Sequence, residues 1–186
     1  MYIHISQKEI SFGQKYMVSI DDKTKYIIDS PVAEIFDDYF VKNFKDDEIV
    51  LTVHEKPRLF NAKYIITNRL TNIDYDFSTK SYWLNSYFCL SSNSSDNNKY
   101  EFFEHPKLRF TIYKNDYLIA YGRRDRFTAF QGDEYYFKLT DNEDYLLLVG
   151  MIICIDDYKG SNNKVTSLLN YNYGVVNQEI KYTEDL

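Results

Sequence analysis

Residues 145–155 read Tyr145-Leu146-Leu147-Leu148-Val149-Gly150-Met151-Ile152-Ile153-Cys154-Ile155, a run with no charge and no polar face. As a helix rising about 1.5 Å per residue, it spans about 16 Å. A bilayer core asks for about 20 apolar residues, so the run is too short to cross a membrane. A helix that is apolar all round has to be buried. Periodicity alone also admits one or two fully buried strands. Leucine content, length and flanking residues favour the helix. Asp141, Asn142, Glu143 and Asp144 offer an N-cap oxygen and place negative charge at the positive end of the helix dipole. Lys159 and Gly160 offer a left-handed stop. The expectation is one helix over about 143–158, buried on all sides, with a β-sheet wrapped round it. Asp156 and Asp157 then fall at the end whose dipole disfavours carboxylates, so donors from elsewhere in the fold have to hold them.

The rest of the chain sets the class. A length of 186 residues suits one domain and a core that needs no staples. The 19 tyrosines suit half-buried strand faces. A formal net charge of −6 argues against nucleic acid, which calls for a basic footprint, and weakens attraction to anionic lipid. The cysteines, Cys89 and Cys154, make no disulfide framework, and a reducing, cytoplasmic setting is the expectation. Met1 to Ser6 has neither a basic nor an apolar signal region, so no secretory leader is expected there.

Most of residues 2–139 alternates apolar and polar with period two, as in Ile73-Asp74-Tyr75-Asp76-Phe77 and Tyr135-Tyr136-Phe137-Lys138-Leu139. The expected strands are 2–6, 14–20, 25–29, 38–43, 48–54, 62–67, 73–77, 81–90, 99–104, 108–112, 117–121 and 135–139. About a dozen strands separated by polar turns point to a sandwich or a barrel. Asp21-Asp22-Lys23, Lys45-Asp46-Asp47 and Lys114-Asn115-Asp116 are turn signals. Ser91 to Asn98 is a low-complexity loop tip. Residues 31–42 carry a helical spacing of apolar side chains behind Ser30 and Pro31, in competition with a strand at 38–43. Gln7 to Asp21 and Arg126 to Asp141 echo each other as glycine-cornered hairpins, with Gly13 and Gly132 at the corners.

Few residues carry catalytic chemistry. His4, His54 and His105 show no metal-pair spacing, and the neighbours His54-Glu55 and Glu104-His105 point to opposite faces of a strand. Asp37-Asp38 and Asp46-Asp47-Glu48 read as solvated turns, without the glycine-centred pattern of a calcium loop. No nucleophile motif and no phosphate-binding glycine loop is present. No catalytic residue, metal or cofactor is therefore expected, and the protein is read as not an enzyme.

Gln7 to Asp21 resembles the opening strands of LURP-one-related proteins, of the tubby C-terminal-like superfamily. Leu118 to Gly122, Phe127 to Asp141 and the apolar helix ending Ile155-Asp156-Asp157 resemble that family's C-terminal half. Together these stretches cover about a third of the chain by this reading, and residues 30–105 fit loosely. The resemblance implies a closed antiparallel β-barrel of about 12 strands around one buried central helix. Such a barrel is too wide for its own side chains to fill, so the helix plugs it. The domain division expected is a barrel over 1–160 and an extension over 161–186, since family members tend to end soon after the helix. The resemblance also implies a non-catalytic module that binds phospholipid head groups. In tubby proteins a Lys-x-Arg pair on one strand face helps hold the head group, and Lys107 and Arg109 have that spacing. The alternative is a protein-interaction or scaffold domain that docks through 161–186.

Overall fold

The computed structural model describes residues 1–7, 14–30, 38–56, 63–82, 85–92, 98–125, 133–140 and 143–163. They form twelve strands: β1 (Tyr2–Gln7), β2 (Gln14–Ile20), β3 (Lys23–Asp29), β4 (Asp38–Asn43), β5 (Ile49–Lys56), β6 (Lys63–Asn68), β7 (Ile73–Tyr82), β8 (Asn85–Ser92), β9 (Lys99–His105), β10 (Arg109–Lys114), β11 (Tyr117–Asp125) and β12 (Glu134–Leu139). One helix follows, α1 (Tyr145–Asn163). Each strand pairs antiparallel with the next, and β12 returns to pair with β1, with Ile3 opposite Phe137. The sheet is thus a closed barrel, and among the described strands none is left as an edge for another chain to pair with.

Period-two patterning and the turns explain the strands. In β1 the buried residues are Ile3 and Ile5, and in β12 they are Tyr135, Phe137 and Leu139. Asp21 and Asp22 both have positive φ in the β2–β3 turn, as do Asn115 and Asp116 in the β10–β11 turn. Asp and Asn tolerate that left-handed conformation, and two such residues in a row match the twist of a tight hairpin. The β2–β3, β4–β5 and β10–β11 turns fall where the sequence signals place them. Two expectations need correcting. The apolar stretch 81–90 is not one strand, because it straddles the end of β7 and the start of β8, which pair through Tyr82 and Asn85. Alternation alone does not mark the boundary between two strands of like composition. Residues 108–112 do not all belong to a strand, because β10 begins at Arg109. For residues 31–42, the strand at 38–43 is present as β4, and 31–37 lie outside the described residues, as do Gly13 and Gly132.

The apolar run is helical. Asp144 caps it: the backbone N–H of Leu147 donates to Asp144 Oδ1 at 3.2 Å. Lys114 Nζ reaches Glu143 at 2.9 Å. The helix does not stop at Gly160 but continues to Asn163. A single glycine weakens a helix by about 1 kcal/mol relative to alanine, which does not suffice to end it. Leu147, Leu148, Val149, Met151, Ile153, Cys154 and Ile155 are each 0 % exposed, so the run has no solvent face. These residues and the buried faces of the strands form one apolar cluster. Neither cysteine is in a disulfide, and both are buried. Among the described residues no helix is long and apolar enough to cross a membrane.

Two glycines set close approaches. A Cβ on Gly122 of β11 meets Phe137 Cβ at 2.6 Å and Phe110 Cζ at 2.7 Å, the first of them next to backbone. A Cβ on Gly150 of α1 meets side-chain methyls and no backbone, Ile66 Cγ2 at 2.9 Å, on a stiff β-branch, and Leu51 Cδ2 at 3.3 Å. Gly122→Ala is therefore expected to cost about 2–3 kcal/mol, as overpacking does. Gly150→Ala gains about 1 kcal/mol in helix propensity against its crowding, and should stay within about 1 kcal/mol of the wild type. Urea unfolding checks the order, and equal losses would contradict this reading of the packing.

Candidate functional site

Among the described residues, a buried polar cluster lies on the second half of α1. Asp156 and Asp157 are 8 % and 7 % exposed, so almost no water reaches them. Burying a carboxylate this way is expensive unless donors replace the water. Here tyrosine hydroxyls do so. Tyr16 of β2 donates to Asp156 Oδ2 at 2.6 Å, and Tyr135 of β12 donates to Asp156 Oδ1 at 2.5 Å. Tyr64 of β6 donates to Asp157 Oδ2 at 2.8 Å, and Tyr39 of β4 donates to Asp157 Oδ1. All four tyrosines are 1–2 % exposed. Arg124 of β11, itself buried, stands 3.6 Å from Asp156 and pairs with Asp133. Its guanidinium lies 5.5 Å from the centre of the Tyr135 ring.

The expectation that Asp156 and Asp157 need outside donors is met, and the donors come from four separate strands. The tyrosines were not singled out in the sequence, yet a signal is there. Every even-numbered strand carries an aromatic residue, any residue, then an aliphatic or aromatic one on its buried face. These are Tyr16-Met17-Val18, Tyr39-Phe40-Val41, Tyr64-Ile65-Ile66, Phe88-Cys89-Leu90, Phe110-Thr111-Ile112 and Tyr135-Tyr136-Phe137. Four carry tyrosine and serve the carboxylates. On β8 the word begins with Phe88, whose ring meets Tyr158 edge-on at 5.5 Å.

Burial first, then the Asp156 charge, raises Tyr16 and Tyr135 well above the usual phenol range. Burial and then Asp157 do the same for Tyr64. These hydroxyls keep their protons and act as donors. Cys154 is likewise pushed up by burial, so its thiol stays protonated and unreactive. The donors to the two carboxylates are thus neutral tyrosine hydroxyls, with the Arg124 guanidinium near Asp156.

The remaining sequence candidates lie apart. His54 of β5 is opposite Asp38 of β4 and bonds it on the exposed surface. His105 bonds Thr111 Oγ1 at 2.7 Å, and burial lowers its pKa. His4 stacks on Tyr136 with centroids 4.4 Å apart. Lys107 and Arg109 are both exposed, but they do not share a strand face. Lys107 sits in a single 3-10 turn, Pro106–Leu108, where Lys107 and Leu108 both have positive φ. Pro106 and that left-handed turn break the alternation, and Leu108 is 40 % exposed rather than buried. Among the described residues no group of three or more His, Cys, Asp or Glu is placed to hold a metal ion. Comparison with protein-family models, curated proteins and solved structures finds no match to the chain.

Two measurements test the cluster. Asp157→Ala strips the acceptor from two buried hydroxyls and should cost roughly 2–4 kcal/mol, while Tyr64→Phe should cost about 1 kcal/mol. A loss under about 0.5 kcal/mol for Asp157→Ala by urea unfolding would contradict the assignment. Alkaline titration gives the second. Below pH 10 folded and unfolded chains both keep the phenol protons, and the stability is complete. Above it the unfolded chain loses protons that the folded Tyr16, Tyr64 and Tyr135 retain, so stability falls as pH rises. Tyr100 and Tyr136, each pushed up to about 12, add to the effect. Phenolate absorbance should therefore show a fraction of the tyrosines ionising only as the circular-dichroism signal of the fold is lost.

Proposed function

We propose that the protein is a non-catalytic binding module of the tubby-like kind, a barrel with α1 along its axis, which works through its outer surface. The ligand class proposed is the phosphate of phospholipid head groups, with Lys107 and Arg109 as the sequence-derived contacts. The observation that carries the non-catalytic reading is the pairing of Asp156 and Asp157 with four tyrosine hydroxyls, because it commits the buried acidic groups to holding the helix.

Two geometric facts support the axial helix. Along β6, Asn68 bonds Asp144 at 2.9 Å, Ile66 touches Gly150, and Tyr64 bonds Asp157, so α1 is followed along its length by one strand. Around the barrel, Asp156 meets β2 and β12, Asp157 meets β4 and β6, and Tyr158 meets β8. Twelve strands divide the circle into steps of about 30°, so these contacts are centred about 120° and then about 90° apart, against about 100° per residue in a helix. A helix lying on the outside of a sheet would touch one arc of it.

The lipid reading rests on the family resemblance and on exposed cations. The net charge of −6 means that attraction to an anionic bilayer has to be local, and so sensitive to salt. The alternative, docking through 161–186, rests mainly on residues outside the described ones. Flotation with vesicles of phosphatidylserine and phosphatidylcholine at low salt tests the lipid reading. Binding that fades as salt rises is expected, and no binding at low salt would remove it.

A further inference from the structure

In an up-and-down barrel every second turn lies at the same end. The β2–β3, β4–β5, β6–β7 and β10–β11 turns therefore surround the end at which α1 begins, and Asn68 at the close of β6 bonds the Asp144 cap of that helix. Hairpin tips at such a rim are solvated, and the fold does not require apolar side chains there. Two adjacent tips carry them nonetheless. Phe44 is 52 % exposed, Ile49 40 % and Leu70 60 %. None of the three belongs to the apolar core cluster. Leu51 is opposite Asn68, and the N–H of Arg69 donates to the Val50 carbonyl at 2.9 Å. The β5–β6 pairing thus runs on into the β6–β7 turn and brings Leu70 level with Ile49. Single exposed apolar side chains are ordinary, but three on neighbouring turns make a patch.

Hydrogen bonds pin both turns. Asn68 Oδ1 accepts from the N–H groups of Leu70 and Thr71 at 3.0 and 3.3 Å. Asn43 Oδ1 accepts from the N–H of Lys45 at 3.2 Å, and the Asn43 carbonyl accepts from the N–H of Asp47 at 3.0 Å. Side chains presented on such a backbone lose little freedom when a partner binds. The same turns are acidic: Asp46, Asp47 and Glu48 are exposed beside the patch, against Lys45 and Arg69. The β2–β3 and β10–β11 turns add Asp21, Asp22 and Asp116 to that rim, and no cation within either turn. We propose that Phe44, Ile49 and Leu70 are the docking surface for a basic, amphipathic segment of a partner protein. Its apolar side chains cover the patch while its Lys or Arg side chains meet Asp46, Asp47 and Glu48. Charge decides the occupant. A second copy seated on this face about a twofold axis sets acid against acid. An anionic bilayer is repelled in the same way, and a neutral one would desolvate the carboxylates between the tips. The patch lies at the other end of the barrel from Lys107, which sits between β9 and β10, so it does not depend on the phosphate reading above.

The test selects random peptides displayed on phage against the full chain, then measures the affinity of the selected peptides by calorimetry. Peptides that set Leu, Phe or Trp beside Lys or Arg are expected, with affinity that falls as salt rises. Phe44→Ser combined with Leu70→Ser should weaken them about tenfold or more. Asp46→Asn, Asp47→Asn and Glu48→Gln together keep the side-chain shapes and remove the charge. They should weaken binding at low salt and flatten its salt dependence. Tyr117→Ser removes a 77 % exposed ring from the β10–β11 turn, across the rim, and should change nothing. All these side chains are exposed, so each variant should melt near the wild-type temperature, which separates lost docking from lost fold. Selection of no peptide, of peptides without basic residues, or of peptides indifferent to Phe44 and Leu70 overturns the proposal. So does a wild-type dimer that the Phe44 and Leu70 variant splits in sedimentation, which makes the patch a self-interface. Flotation with phosphatidylcholine vesicles that the same variant loses also overturns it, in favour of a membrane edge.

Discussion

A helix with no polar face needs apolar partners on every side, and the structure follows from supplying them. Layers of sheet on helix cover one side of a helix and leave the other wet. A closed antiparallel sheet of twelve strands has a buried face wide enough to need filling. With α1 along the barrel axis, as proposed above, helix and barrel are complementary, and neither is expected to be stable without the other. The strand sequences show the same demand from outside: each presents apolar or aromatic groups to one side and polar groups to the other.

The same constraint explains the chemistry of the helix ends. At the N-terminal end, Asp144 caps the first turn and also takes a hydrogen bond from Asn68 of β6. Asp156 and Asp157, in the second half of the helix, sit where burial opposes a carboxylate. Four tyrosines resolve the conflict, because tyrosine combines a ring that packs in the apolar cluster with a hydroxyl that donates at its rim. Removing the acceptors alone strands the hydroxyls. Replacing the two aspartates and the four tyrosines together by apolar side chains would remove the need for any of these hydrogen bonds, so the network as a whole adds direction as much as raw stability. It fixes which turn of the helix meets which strands, as a polar contact does in an otherwise slippery apolar interface.

Much of this is legible in the sequence, for identifiable reasons. Period two is a strong signal where one face of a strand is buried, and the observed strands follow it closely from β1 to β6. The cap at Asp144 and the need for donors at Asp156 and Asp157 follow from local rules alone. What local rules miss is long-range. The partners of the aspartates lie on strands separated by most of the chain, and only barrel closure brings Tyr16 and Tyr135 to one carboxylate. The β7–β8 boundary is hidden because its flanks share one composition. The strand pairing of Lys107 with Arg109 fails because two successive positive-φ residues after Pro106 break the alternation. Arg109 faces Arg123 instead, a juxtaposition that register alone creates.

The central claim is that α1 is enclosed by the strands, and native-state hydrogen exchange tests it most directly. If the helix is enclosed, the amides of Leu147 to Ile155 exchange only through global unfolding, with the same free energy and denaturant dependence as the slowest amides of β5 and β6. Helix amides that exchange through a separate, lower-energy opening while the strands stay protected would contradict it.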